Sequence, residues 1–341
     1  RFRFWRRKAW GFKSLHPHQS FHASGIGGPS KDRGAIAFGG PRKMTVTLLD
    51  GGMGQELIHR AGDRPTPLWS TQVMMDRPGL VQQVHADYFA AGADIATTNS
   101  YAIHRDRLIP DGLEHLFEPL HATALAEAEA ARKSHGRGRI AGSVGPLAGS
   151  YRPELHPQPD RAIPLYAEIV RLLAPGVDLI LFESVASLMH AETALAGAKA
   201  AASGKPVWLS VTLDDTNGSR LRSGESVAEL LPVLKAGGAA AVLANCSIPE
   251  AMPAALEIFA KGDLPFGAYA NGFTRITQAF LADRPTVDAL SARSDLGPAI
   301  YADHVMAWVA QGATIVGGCC EVGPAHIAEI ARRLRAARLH D

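Results

Sequence analysis

The chain has 341 residues, is 46% hydrophobic and 20% charged, and carries a formal charge of +2. Those fractions describe a globular chain and exclude a disordered or collagen-like one. Its longest apolar runs, such as 239–244, fall far short of the roughly 18 to 20 residues of a bilayer-spanning helix, so no membrane partner is expected.

The charge is unevenly placed. Residues 1–43 hold ten of the 35 Lys and Arg but only one acid, Asp32, which leaves −7 for residues 44–341. No basic stripe for nucleic acid follows in that body. The first 43 residues are rich in Gly, Ser, His and Pro and keep no helical or strand period. They read as a disordered or non-native extension, with an Arg-rich, acid-poor transit peptide as the alternative. Residues 44–341 read as one domain.

From Met44 the pattern is strand then helix, eight times. Short, nearly unbroken runs of Val, Ile, Leu and Ala occupy 45–49, 94–98, 139–144, 178–183, 206–213, 239–245, 265–270 and 313–318. Such runs belong to strands buried on both faces, as in a parallel sheet. Helical patterns fill 78–91, 113–134, 160–174, 187–203, 225–236, 249–261, 298–312 and 324–338. Pro78, Pro249, Pro298 and Pro324 sit where helices should start. Eight βα units in about 300 residues predict a (β/α)8 TIM barrel, with a doubly wound open sheet as the competitor.

A barrel puts its active site at the C-terminal ends of its strands. The residues to inspect are therefore Asp50, Thr98 to Tyr101, Ser143 to Pro146, Glu183, Leu213 to Asp215, Asn245-Cys246, Tyr269 to Gly272 and Gly317 to Cys320. All three cysteines of the chain, Cys246, Cys319 and Cys320, are in that set. A lone free cysteine is ordinarily a small buried hydrophobe. Three at the ends of strands six and eight instead fit a zinc site with three thiolates and one open position. The glycines Gly317 and Gly318 would let the chain turn tightly enough to aim two adjacent thiols inward. Thiolate ligands make zinc a poor activator of water, so the open position suits a substrate thiol that must be kept nucleophilic. Three cysteines are too few for a disulfide framework, and a reducing, cytoplasmic setting is expected.

At this point the chain resembles the homocysteine S-methyltransferases, zinc-dependent barrels that include betaine–homocysteine methyltransferase and the homocysteine module of methionine synthase. The resemblance rests on Leu49-Asp50-Gly51-Gly52-Met53-Gly54-Gln55-Glu56-Leu57, Gly92-Ala93-Asp94 through Thr97-Thr98-Asn99-Ser100-Tyr101, Gly142-Ser143-Val144-Gly145-Pro146, Phe182-Glu183, Ala244-Asn245-Cys246, Tyr269-Ala270-Asn271-Gly272 and Gly317-Gly318-Cys319-Cys320. These occur in family order over residues 44–338. The resemblance implies that Cys246, Cys319 and Cys320 bind Zn2+ and that Glu183 holds the α-ammonium of homocysteine. It implies that Asp50 and Thr98 line the homocysteine pocket, with Ser143, Asn245 and Tyr101 as further substrate contacts. The implied reaction moves a methyl group from an onium donor to the homocysteine thiol, giving methionine.

The chain departs from the family in places that bear on the donor. Glu321 follows the cysteine pair where many members have Gly or Arg. Residues 149–155 differ from the Gly-rich loop of members that use S-methylmethionine, and Ser184 stands where betaine-using members carry an aromatic. S-methylmethionine or S-adenosylmethionine is favoured over betaine. An onium donor needs an aromatic or anionic surround, for which Trp69, Tyr101, Tyr151, Trp208 and Tyr269 are available. The alternatives are another donor or thiol acceptor, or a zinc- or thiol-binding module without turnover. No HExxH or dinucleotide fingerprint is present, and His304 and His326 read as structural.

Overall fold

The computed structural model describes residues 45–62, 66, 68–274, 276, 281 and 290–341. The extension read over 1–43 lies outside the described residues. All eight apolar runs become strands: β1 (Thr47–Leu48), β2 (Ile95–Thr97), β3 (Arg139–Val144), β4 (Leu179–Val185), β5 (Val207–Val211), β6 (Ala241–Asn245), β7 (Phe266–Tyr269) and β8 (Ile315–Val316). They form one parallel sheet in the order β1-β8-β7-β6-β5-β4-β3-β2. A parallel bridge from Leu49 to Ile95 joins its two ends, through Asp94 N to Leu48 O at 2.7 Å and Asp50 N to Ile95 O at 3.0 Å. The TIM barrel is thereby closed, and an open doubly wound sheet is excluded.

Eleven α-helices lie among the described residues: α1 (Met53–Arg60), α2 (Trp69–Asp76), α3 (Leu80–Ala91), α4 (Arg105–Leu108), α5 (Phe117–His135), α6 (Pro159–Leu173), α7 (Leu188–Ala201), α8 (Leu230–Gly237), α9 (Met252–Phe259), α10 (Pro298–Ala310) and α11 (Pro324–Ala336). The helices α1, α2 and α4 have no counterpart in the sequence reading. The first two sit between β1 and β2, where glycine and proline punctuation hides their short apolar faces. Pro298 and Pro324 open their helices. The helix expected from Pro78 begins two residues later, because Gly79 takes a left-handed φ of +86° at its cap. Glu127 of α5 supplies the missing cap, accepting from Gly79 N at 3.0 Å and Gln82 N at 2.8 Å.

Strand alternation sorts the side chains into two cores. On β4, Ile180 and Phe182 point out to the helices, while Leu179 and Leu181 point into the barrel. Ala141, Trp208, Ala241, Leu243 and Ile315 join them inside. The next inward position on β4 is Glu183, on β3 Ser143 and on β6 Asn245. The same alternation that fills the barrel with apolar groups thus ends in a ring of polar ones at its C-terminal mouth. Fully burying each large apolar side chain contributes about 1.5–3 kcal/mol, which holds those polar groups on a rigid frame.

Candidate active site

One pocket opens at the C-terminal ends of the strands. Asp50, Thr98, Tyr101, Ser143, Glu183, Asn245 and all three cysteines line it. The strand-five end is the exception. Leu213, Asp214 and Asp215 do not line the pocket, because the turn folds on itself. Asp214 Oδ1 accepts from Thr216 N at 2.7 Å and from Asn217 N at 3.1 Å, and Asp215 pairs with Arg222.

Cys246 follows β6 directly, and Cys319-Cys320 follow β8 after two glycines. The three Sγ atoms all lie within 4.8 Å of one another, with Cys246 and Cys319 in contact at 2.6 Å. All three thiols are free. Hydrogen bonds from Cys319 and Cys320 hold Cys246 well below the ordinary thiol range, and those bonds to Cys246, together with burial, push the other two up. The hydroxyls of Tyr151 and Ser184 also bond to Cys246. Three sulfurs converging from two strands fit a metal ion: a tetrahedral thiolate site with bonds of about 2.3 Å puts its sulfurs roughly 3.8 Å apart.

The glycines before the pair are required for a different reason from the tight turn expected. Neither has a positive φ. A Cβ on Gly317 would sit 2.6 Å from Leu49 Cβ, and one on Gly318 2.1 Å from Val322 Cγ1. Gly317 lets β8 press against the end of β1, and Gly318 lets the loop after β8 fold back on itself at Val322. The left-handed positions fall instead on Cys246 (φ +50°) and Glu321 (φ +64°).

Glu183 is buried, and each of its oxygens accepts a hydroxyl. Tyr269 donates to Oε1 at 2.9 Å and Ser143 Oγ donates to Oε2. Burial pushes its carboxyl up to about 7 against those two bonds. Asp50 accepts from Thr97 N at 2.7 Å and Thr97 Oγ1 at 2.9 Å. Burial outweighs them and raises it to about 8, with the nearby Glu183 adding to the rise. Among the described residues that line the pocket, these two buried carboxylates have no counter-cation, which an ammonium group would supply.

Thr98 and Asn245 line the pocket but spend their polar atoms in its wall. Thr98 Oγ1 accepts from Ser143 N at 3.0 Å and bonds to Ser100 Oγ at 2.7 Å, and Ser100 Oγ donates to Ser143 O at 2.7 Å. The β4–β5 register shifts between Phe182 and Val185, where Ser184 takes a φ of +56°. This bulge would leave a backbone N–H unpaired. Asn245 Oδ1 takes it, accepting from Ser184 N at 3.0 Å and from Ser210 Oγ at 2.9 Å. Asn245 thus staples the bulge that carries Glu183.

Of the aromatic residues considered for an onium, Trp69, Tyr101, Tyr151 and Tyr269 line the pocket. Trp69 and Tyr101 stack with centroids 6.3 Å apart, and Tyr101 OH bonds to Ser150 Oγ at 2.8 Å. Trp208 does not belong to this wall. It begins the inward row of β5 and lies in the barrel core, with Arg139 at 5.9 Å from its ring. Phe273 and Leu290 line the pocket and were not singled out from sequence, and Gln55, which stands in the first matching segment without an assigned role, lines it too. His326 is structural, bonding to Gly323 N and Leu296 O.

A sequence model described as homocysteine S-methyltransferase matches residues 47–334. The chain is 30% identical to the homocysteine S-methyltransferase of Escherichia coli K12, over 85% of this chain and 96% of that protein. It is 28% identical to homocysteine S-methyltransferase 4 of Zea mays, over 92% and 97% of the two. The crystal structure of the homocysteine methyltransferase MmuM from Escherichia coli, metallated form, matches with a TM-score of 0.72 and 27% identity, over 85% of this chain and 97% of that one. The chain belongs to the homocysteine S-methyltransferase family and is an enzyme of the methyltransferase class.

Proposed function

We propose that this protein transfers a methyl group from a sulfonium donor, S-methylmethionine or S-adenosylmethionine, to the thiol of homocysteine, with Zn2+ held by Cys246, Cys319 and Cys320. The observation that carries this reading is the convergence of three thiols, Cys246 buried and Cys319 and Cys320 half-buried, from β6 and β8 on the pocket that Glu183 and Asp50 face. Zinc on three thiolates supplies an electropositive fourth position at which a substrate thiol ionises near neutral pH.

The chain's own residues do the rest. Glu183, fixed from both sides by Tyr269 and Ser143, receives the homocysteine ammonium. Asp50, fixed by Thr97, adds a second negative charge to the same pocket. Trp69, Tyr101 and Tyr151 offer π faces to the onium. The homocysteine sulfur attacks the methyl carbon in line. The new S–C bond forms as the donor's C–S bond breaks, the electron pair stays on the donor sulfur, and the thiol proton leaves to solvent. Positive charge on the donor is lost in this step, so exclusion of water by the buried pocket favours it. A reducing, cytoplasmic setting keeps the thiols available.

The test is to load the full chain with zinc and mix it with homocysteine and, in separate reactions, S-methylmethionine, S-adenosylmethionine and betaine. Methionine is then quantified by mass spectrometry. Methionine from a sulfonium donor supports the reading. Methionine from betaine alone replaces the donor, and none from any donor rejects turnover with this acceptor.

A further inference from the structure

Gln55 lies in the first turn of α1, lines the pocket and is 7% exposed. Its Nε2 donates to Glu321 Oε1 at 2.6 Å. The other oxygen of Glu321 faces His59 Nε2 at 3.7 Å. Glu321 holds this place at a cost: it follows Cys320 directly in a left-handed conformation, which disfavours a side chain by about 1–2 kcal/mol. Its two partners on α1 offset that cost.

This arrangement settles which way the Gln55 amide points. A carboxylate only accepts, so the NH2 end must face Glu321, and the carbonyl end is left for the pocket. No described residue donates to that carbonyl. That oxygen is not sealed off as a buried, unsatisfied atom; it is an acceptor open to the pocket, where an electropositive ligand group can meet it. The described residues that share the pocket with it include no Lys, Arg or His; its charged and polarisable groups are the Asp50 and Glu183 carboxylates, three sulfurs and aromatic rings such as those of Trp69, Tyr101 and Tyr151. These are anionic, soft or π-faced. The guanidinium groups of Arg107 and Arg222 stack on those rings at 5.4–5.9 Å from the centroids but do not line the pocket.

We propose that Gln55, oriented by Glu321, is a specificity-determining residue that selects the charged methyl donor over its uncharged counterpart. The inference rests on the methyltransferase reading above. The carbonyl dipole stabilises the sulfonium while it is cationic and loses that attraction once the methyl has left, which favours release of the neutral thioether.

Two ligand pairs test this on the zinc-loaded full chain, saturated with methionine at the acceptor position. One pair is S-methylmethionine and homoleucine, its isostere with CH in place of S⁺. The other is S-adenosylmethionine and S-adenosylhomocysteine. Calorimetry gives the Kd ratio, charged over neutral, for the wild type, Gln55→Met and Glu321→Gln. The expected result is a tenfold or greater loss of charge preference in Gln55→Met, a smaller loss in Glu321→Gln, and less than twofold change for the neutral ligands. A merely structural role would weaken both members of a pair equally. Equal weakening, or a preference kept within twofold in Gln55→Met, overturns the proposal alone. A wild type with no preference in either pair overturns it together with the sulfonium-donor reading.

Discussion

Tyr269, the last residue of β7, donates its hydroxyl to Glu183 on β4 at 2.9 Å across the barrel mouth. Glu183 is thus fixed by a strand three places away in the sheet, and from its other side by Ser143 on β3. Its charge is stabilised by donors whose own positions are set by the closed barrel.

Removing one donor should therefore weaken acceptor binding without touching the thiols. Tyr269→Phe and Ser143→Ala are each expected to raise KM for homocysteine about 10- to 150-fold, the value of one hydrogen bond to a charged group. Zinc content should stay at its wild-type level. Steady-state kinetics with metal analysis checks this, and an unchanged KM in both variants would reject the assigned role of Glu183. Glu183→Ala should raise KM further than either.

Acid should weaken binding at this same carboxylate. Burial holds Glu183 at about 7 in the free protein. An ammonium needs it ionised, so below pH 7 binding must first expel a proton. Affinity for methionine, which has no thiol to confuse the titration, should fall by up to about tenfold per pH unit as pH drops from 7 to 5. Calorimetry in two buffers of different ionisation enthalpy should show proton release on binding, and Glu183→Gln should abolish the Glu183 share of it.

Stability carries the opposite sign. The raised values of Glu183 and Asp50, about 7 and about 8, mean the folded chain binds more protons than the unfolded one above pH 4. The ligand-free, metal-free protein should lose stability as pH rises from about 4 to 8 through these two groups. Denaturant midpoints across that range test this, with Asp50→Asn expected to flatten the slope.

Gly318→Ala should displace the cysteine pair, since its new Cβ would meet Val322 Cγ1 at 2.1 Å. We expect zinc affinity to fall more than tenfold while the helical circular dichroism signal stays. Metal retained at wild-type affinity would show that the loop yields without moving the thiols. By contrast, Phe182→Ala, on the outward face of β4 and edge-on to Tyr166 at 5.4 Å, should cost about 3–5 kcal/mol of stability.

The strands and the cysteines were legible in the sequence because each depends on local pattern: unbroken apolar runs, and rare residues at run ends. What was not legible comes from pairing at a distance. Asn245 reads as a substrate contact until the bulge at Ser184 shows where its amide is spent. Tyr269 reads as part of an aromatic cage until Glu183 is found beside it. Trp208 looks equivalent to the other aromatics, yet it stands early in β5 and so falls in the barrel core. The helices α1 and α2 are short, and their glycine-rich approach hid them. The departure at Glu321 was visible, but its partner Gln55 lies 266 residues away.

The central claim is that Cys246, Cys319 and Cys320 hold zinc and leave one position for the thiol of homocysteine. Zinc K-edge absorption of the loaded full chain tests it most directly. The account predicts three sulfur neighbours without homocysteine and four with it, and no zinc retained in Cys319→Ala. A sulfur count that does not rise on adding homocysteine, or zinc retained in Cys319→Ala, would contradict it.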